Sequence, residues 1–560
     1  VVVGPESRMI LAFVFVSSVV LFFLVLWIIR LLAKPANGRI LAALIALFFI
    51  YPFIPPLLAG APTVGTKRIE TELSGRKSNV ILVSFDTARR DEFGCYGAEL
   101  SITPNIDQIA GSSTCFDNAV TPMPLTGPAH MSMLTGLQPD NDIGHGVKTN
   151  GIPLPDDIPT LASILDESGY NTSAIIGAWV LSRQASALHR GFHYYEDIFD
   201  KGVRARFLPD QFLSITVWKL AIKYFRMPEL IPSGRVKNAD EVTDQAIEWL
   251  EENRDDPFFL FVHYYDPHYN YTPPEPFDTK FTEGYDGPFL GRFFDQAGIT
   301  REIPNMTPED IEYYRNLYRG EIGFMDQEFG RFYKWCDDRG LWDNTLLIMV
   351  ADHGESFEHD YYFAHTDRIY EPLIHVPMII RNPDAISSEV FGNRIDILVN
   401  VSDIYFTVLN FLGIESPENP DDMHREVKGA IPGWDHDLVR LAMNGDGPEN
   451  SGWMWIAAQS FDFAGPGELS LGRFFAYRFP DWKIMYGPKS EPHLPMYRYF
   501  DLAIDPLELS DILPELITGN EFLVMLIEDL TEWASRQTVE TGPMSFEALE
   551  NLRTLGYAHQ

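Results

Sequence analysis

Three apolar runs along the chain share one plan, in which a short continuous hydrophobic stretch ends in carboxylate or imidazole side chains. They read NVILVSFD at 79–86, PFFLFVHYYDPH at 257–268 and TLLIMVADHGE at 345–355. Uninterrupted runs of this length fit strands buried on both faces, and α/β sheets bind ligands beyond the carboxyl ends of such strands. Shorter strands are expected at 172–176 and 376–380. Helices are expected from Pro104 through Ala110, over 159–168, over 239–253 with Val242, Ala246, Ile247 and Leu250 on one face, and over 321–339. The region 270–315, rich in Pro, Phe and Asp and without periodicity, reads as an insertion or lid. Near residue 472 the pattern changes. Short runs at 474–477 and 482–486 form a hairpin around Arg478–Asp481, and with 499–506 and a helix over 521–536 they predict a smaller α+β unit.

The N-terminal pattern is different in kind. Residues 9–29 and 40–59 are almost wholly apolar and flank a short loop carrying Lys34 and Arg39. Each run is close to the roughly 20 residues a helix needs to cross a bilayer, so two transmembrane helices are expected. Arg30, Lys34 and Arg39 favour a cytoplasmic loop, which puts the bulk of the chain on the extracytoplasmic side; Lys67, Arg68, Arg76 and Lys77 pull the other way. The expected organisation is two membrane helices in 1–62, a linker at 63–78, a catalytic domain over 79–465 and a C-terminal subdomain over 466–560.

Composition adds two exclusions. With 43 basic and 79 acidic side chains the formal charge is −36, which argues against nucleic acid as a partner. The 3 cysteines, Cys95, Cys115 and Cys336, have no close spacing and suggest neither a disulfide framework nor a zinc knuckle.

The candidate chemistry centres on Pro124–His130, PLTGPAH, followed by MSMLTG. Pro128 fits a first helical turn and Gly136 a C-terminal stop. Thr126 then sits where unpaired backbone N–H groups favour an anion, and its hydroxyl could attack a phosphate or sulfate ester if its pKa were lowered. Asn150, in the turn-rich stretch 144–151, could donate to a non-bridging oxygen. Asp86, Asp266, His268, Asp352 and His353 fall at strand ends, and His365 follows. Strands that each deliver carboxylate or imidazole to one edge suggest a metal site.

The ordered set of segments resembles the sulfatase family of the alkaline phosphatase superfamily. It comprises NVILVSFDTARRD at 79–91, PLTGPAHMSMLTG at 124–136, HGVKTNG at 145–151, RGFHYYED at 190–197, HYYDPH at 263–268, ADHGE at 351–355, IYEPLIHVP at 369–377, FDLAIDPLE at 500–508 and LRTLGY at 552–557. The resemblance implies a central mixed sheet flanked by helices, with a smaller C-terminal sheet domain. It also implies a divalent metal held by Asp86, Asp352 and His353 with Thr126 as nucleophile, and Asn150, His268 and His365 around the ester oxygens and leaving group. A mixed Asp/Asp/His set favours Zn or Mn over Ca or Mg. One ion or two is left open, a second being conceivable through Asp266, His268 and His365.

The departures bear on the reaction. Sulfate-cleaving members generally carry C-x-P-x-R or S-x-P-x-R, whose Cys or Ser becomes formylglycine; here the frame reads Thr126-x-Pro128-x-His130, and Thr87 stands where many have a second Asp. Threonine nucleophiles are similar to those of the superfamily's phospho branch, whose phosphoethanolamine transferases and lipoteichoic acid synthases are membrane-anchored. The expectation is a phosphoryl or sulfuryl ester hydrolase or transferase with a covalent Thr126 intermediate, phospho chemistry favoured. The alternatives are a sulfatase working without formylglycine and a membrane-tethered binding protein that has lost catalysis. The organic part of the ester is not encoded in any motif.

Overall fold

The computed structural model describes residues 77–141, 144–197, 236–292, 296–383, 394–416, 438, 456–460, 474–487 and 495–537. The membrane helices expected at 9–29 and 40–59 fall outside these residues. Among the described residues, no helix is long and apolar enough to cross a membrane.

The large sheet contains, in chain order, β1 (Asn79–Phe85), β2 (Thr114–Val120), β3 (Asn171–Ile176), β4 (Tyr194–Glu196), β5 (Phe258–Tyr264), β6 (Thr345–Ala351), β7 (Met378–Arg381) and β8 (Arg394–Asn400). Their spatial order is β8-β2-β7-β6-β1-β5-β3-β4. β7 runs antiparallel to β2 and β6, and the remaining pairs are parallel, so the sheet is mixed as expected. The three long apolar runs occupy its centre. β1 lies between β6 and β5, and every residue of all three is buried.

The main helices are α1 (Pro104–Ala110), α2 (Thr126–Thr135), α3 (Leu161–Glu167), α4 (Ala239–Asn253), α5 (Pro308–Asp337) and α6 (Glu521–Arg536). α4 and α6 have the expected bounds. α5 corrects the expectation, because it begins at Pro308 rather than 321 and takes in the end of the supposed insertion. Its start is a capping box in which Asp310 N–H donates to Thr307 Oγ1 at 3.3 Å and Thr307 N–H donates to Asp310 Oδ2 at 2.7 Å. The remainder of 270–315 holds short helices at Phe277–Lys280 and Gln296–Glu302.

The smaller sheet has the order β9 (Ile456–Gln459), β10 (Phe475–Arg478), β11 (Trp482–Tyr486), β12 (Tyr497–Asp501), all antiparallel. Its first strand lies ahead of residue 466, where the C-terminal unit is expected to begin. One face is covered by α6 through Leu526, Leu530 and Trp533. The other joins a core shared with the large sheet, in which Phe474, Met485 and Phe500 meet Val120, Leu373 and Leu398.

Candidate active site

The sheet register sets the site. Phe85 of β1 is aligned with Ala351 of β6 on one side and with Tyr264 of β5 on the other. The next residues of β1 and β6, Asp86 and Asp352, therefore leave adjacent strands at the same level, and both are fully buried. Asp352 Oδ1 accepts from the backbone N–H groups of Thr87 at 3.1 Å and His353 at 2.8 Å, which fixes the carboxylate at the tip of the strand. Thr87 takes a left-handed backbone, φ 54°, a conformation that costs a non-glycine residue on the order of 1 kcal/mol. Its carbonyl accepts from Tyr318 of α5 at 2.8 Å, and Tyr318 Oη accepts from Arg89 N–H at 2.9 Å, so the long helix holds the strained turn.

α2 brings Thr126 to the same edge. All 10 of its residues are buried, the pattern of a helix surrounded by protein rather than lying on a surface. Leu125, in an extended conformation, precedes it, so Thr126 is the first helical residue rather than the cap. Gly136 stops the helix in a left-handed conformation at φ 76°, as its place in the sequence predicts. Thr126 Oγ1 lies 3.4 Å from Asp86 Oδ1 and 3.3 Å from His353 Nε2. Gly127 N–H donates to Asn150 Oδ1 at 2.6 Å. A Cβ at Gly127 would come within 2.6 Å of that same oxygen, so only glycine admits Asn150 this close.

Beyond this cluster stand the other expected imidazoles. The His365 ring is 4.5 Å from that of His353, and the His268 ring is 5.0 Å from that of His365. Each is braced from behind. Glu355 Oε1 lies 3.3 Å from His365 Nδ1, and its other oxygen accepts from Tyr271 at 3.0 Å. His268 Nδ1 lies 2.7 Å from Tyr265 Oη and 2.8 Å from the Tyr269 carbonyl, and its ring stacks on Tyr265 at 4.6 Å.

The electrostatics of the inner cluster are those of a cation site. Asp86 Oδ2 and Asp352 Oδ2 are buried with no hydrogen-bond donor. Burial pushes the Asp86 carboxyl up to about 8, against the pull of nearby His365. Burial and the Asp86 charge push Asp352 well above the carboxylate range. His353 is held well below the ordinary imidazole value, by burial first and then by neighbouring imidazoles. Two buried carboxylates side by side cannot both ionise unless a positive charge stands between them. The His353 Nδ1–H donates to the Gly354 carbonyl at 3.0 Å, leaving the Nε2 lone pair facing Thr126 and Asp86. Asp86, Asp352 and His353 bring one ligand atom each to within 4.8 Å of one another. The residues fit a divalent metal, and Thr126 stands beside them.

Asp86, Thr126, Asn150, His268, Asp352, His353 and His365 thus fall in one neighbourhood. Asp266 does not join it as a ligand, because its carboxyl pairs with buried Glu321 of α5, and burial pushes it up to about 7. Among the described residues, Asp266, His268 and His365 form no group of converging ligand atoms; the second such group is His130, His263 and Asp352. Sequence patterning had marked neither Glu355 nor Tyr271 as functional. Glu355 carries a signal within ADHGE, as a carboxylate two residues past the His353 imidazole. Tyr271 carries none.

A mixed sheet of this order, with a carboxylate and imidazole cluster beyond its central strands and a smaller antiparallel sheet at its side, defines an ester hydrolase of the alkaline phosphatase superfamily, whose members use a divalent metal. The Sulfatase family model matches residues 78–414, and the chain belongs to that family. It is similar to the N-acetylglucosamine-6-O-sulfatase of Bacteroides thetaiotaomicron, 23% identical over 527 residues covering 81% of this chain and 86% of the relative. It is also similar to a multifunctional alkaline phosphatase superfamily protein of Trinickia caryophylli, 26% identical over 396 residues covering 62% and 76%. The fold matches the crystal structure of the phosphonate monoester hydrolase of Agrobacterium radiobacter with a TM-score of 0.59 and 21% identity, over 82% of this chain and 96% of that one.

Proposed function

We propose that this protein is a divalent-metal-dependent hydrolase or transferase of phosphoryl esters that works through a covalent intermediate on Thr126. The observation that carries the proposal is the threonine hydroxyl at the start of a buried helix, 3.4 Å from Asp86 and 3.3 Å from His353. Asp86, Asp352 and His353, with Thr126, would hold the metal, and carboxylates mixed with imidazole favour Zn or Mn over Ca or Mg. The cation would lower the hydroxyl's pKa and neutralise charge on the ester. Thr126 Oγ1, its proton released to water, forms the bond to phosphorus as the bond from phosphorus to the leaving oxygen breaks. His365 gives that oxygen a proton, His268, with its N–H on the Tyr269 carbonyl, stands beside the ester oxygens, and the Asn150 amide donates to a non-bridging oxygen. Water or an acceptor hydroxyl then takes the phosphoryl group from Thr126.

A sulfuryl ester is the second reading, favoured by the sulfatase named among the relatives. The phosphonate monoester hydrolase resemblance leaves room for the first. Threonine cannot be oxidised to the aldehyde that sulfate-cleaving members use, and this tips the choice toward phosphorus. We place the catalytic domain outside the cytoplasm, anchored by N-terminal helices, on the apolar runs and the basic loop between them. The test is hydrolysis of matched aryl phosphodiester, phosphomonoester and sulfate substrates, with chelation and metal replacement. The expected result is phosphoester turnover lost both on chelation and in Thr126→Ala. Activity that survives in Thr126→Ala would overturn the covalent mechanism, and turnover of the sulfate alone would overturn the choice of phosphorus. Metal-free protein inert under every metal would point to a binding protein.

A further inference from the structure

Two of the 3 cysteines, far apart in the sequence, come together in the fold. Cys95 lies in the short turn Gly94–Tyr96, and Cys115 lies in β2. Side chains alternate along a strand, so Cys115 and Asp117 share one face of the large sheet. Arg394 of β8 is a register partner of Cys115 and spans that face. Its Nε donates to Asp117 Oδ2 at 3.1 Å, and its Nη1 donates to the Cys95 carbonyl at 2.5 Å. Arg90, five residues before Cys95, donates to Asp117 Oδ1 at 3.1 Å. Tyr96 anchors the turn on the other flank. Its hydroxyl donates to the Met378 carbonyl at 2.7 Å and accepts from the Met378 N–H at 3.0 Å. The next residue of β7, Ile379, is the other register partner of Cys115. The turn is thereby held over the start of β2, and the two thiols interact.

Both thiols are free, Cys95 partly exposed and Cys115 buried. The neighbouring Cys95 thiol, and then the Arg394 and Arg90 guanidiniums, pull the Cys115 thiol below its ordinary value against the effect of burial. We propose that Cys95 and Cys115 are a redox-active pair that closes to a disulfide by exchange with a low-molecular-weight disulfide. In the first exchange the accessible Cys95 sulfur bonds to one sulfur of the small disulfide, whose S–S bond breaks. The Cys95 proton leaves with the thiol so released. Cys115, the readier thiolate, then bonds to the Cys95 sulfur and displaces the second half as another thiol, which carries off the Cys115 proton. Two protein thiols are oxidised, and one small disulfide is reduced to two thiols. The bridge staples the segment that follows Asp86 to the strand that leads toward Thr126, and it constrains the unfolded chain across 95–115. It is independent of the reaction assigned to the site.

The experiment equilibrates the full-length protein with mixtures of reduced and oxidised glutathione, quenches in acid, alkylates the unfolded chain and maps its peptides by mass spectrometry. The expected result is a fall from three free thiols to one as the mixture becomes oxidising, with Cys95 joined to Cys115 within one chain. Cys336→Ser should lose the same two thiols, and Cys95→Ser and Cys115→Ser should form no bridge within the chain. The bridged wild type should unfold at higher urea than the reduced form, a gap that Cys336→Ser keeps and Cys95→Ser lacks. Three free thiols in the most oxidising mixture would overturn the proposal. So would glutathione left on Cys95 beside a free Cys115, or a bridge formed only between two chains. Equal urea midpoints for the bridged and reduced wild type would overturn the staple. If a serine variant fails to fold, the peptide map and urea midpoints of the wild type decide alone.

Discussion

At the scale of single residues, Asn150 shows how an idle group marks a site. Its Oδ1 is committed to Gly127 N–H, but its Nδ2 is buried with nothing to donate to. A buried donor left unmatched costs about 1–3 kcal/mol, a cost the native state keeps only where a ligand atom supplies the missing acceptor. A non-bridging ester oxygen held near Thr126 would do so, most strongly as charge builds on it. Asn150→Ala is therefore expected to lower kcat by about 10²-fold, with KM changing less, as steady-state kinetics on an aryl phosphodiester would show. An effect confined to KM would assign Asn150 to ground-state binding instead. Asp86 and Asp352 follow the same logic with a charge in place of a donor, and Thr87 adds a strained backbone held by Tyr318.

At the scale of elements, legibility followed the contrast between apolar and polar positions. β1, β5 and β6 are largely apolar runs, and Asp86, His268, Asp352 and His353 are legible just past their ends. β2 and β8 are less legible because polar residues along them pair across the two strands: Asn118 Nδ2 donates to Asp396 at 2.5 Å, and Arg394, at the start of β8, donates from Nε to Asp117 at 3.1 Å. The first half of α5 was hidden for a related reason. Arg315 and Arg319 turn inward to Glu92 at 2.7 and 2.9 Å. Gly320 looks like a helix breaker but sits where a Cβ would come within 2.6 Å of the Phe277 carbonyl. The start signal was present nonetheless, in Thr307-Pro308-Glu309-Asp310. Thr307→Ala removes the reciprocal cap and is expected to cost about 1 kcal/mol of stability, read as a lower urea midpoint. Activity per folded molecule should not change, because α5 reaches the site through Tyr318, far along the helix from its cap. A loss of activity at unchanged stability would mean that the cap itself shapes the site.

At the scale of the whole molecule, the two sheets are tied by a buried set of charges. Lys483 of β11 donates to the Ile369 carbonyl at 2.8 Å and pairs with Glu371 at 3.2 Å and Glu508 at 2.6 Å, while Arg478 of β10 reaches Glu371 at 3.1 Å. Removing one member of such a set leaves buried charge uncompensated and typically costs 3–5 kcal/mol, so Lys483→Met should lower the urea midpoint by a corresponding amount. The pH dependence is more specific. Burial works to raise Glu371, but Arg478, Lys483 and His375 outweigh it and hold the carboxyl well below its ordinary value. Its contribution is therefore present above the ordinary glutamate range near 4.5 and is lost as pH falls through the folded value. Glu508 has the opposite sign. Burial, only partly offset by Lys483, raises it to about 7, so its contribution is present below pH ~4.5 and is lost as pH rises through about 7. Taking away Lys483 moves both carboxyls upward, which shrinks what Glu371 adds above pH ~4.5 and extends the loss from Glu508 beyond about pH 7. The deficit of Lys483→Met relative to the wild type is thus expected to be smallest in acid, where Glu371 sets its first rise, and to rise again above about pH 7, where Glu508 is ionised in the wild type but still protonated in the variant. Urea unfolding across that range measures it, and a deficit that is flat with pH would show that Lys483 holds the sheets together by packing rather than by charge.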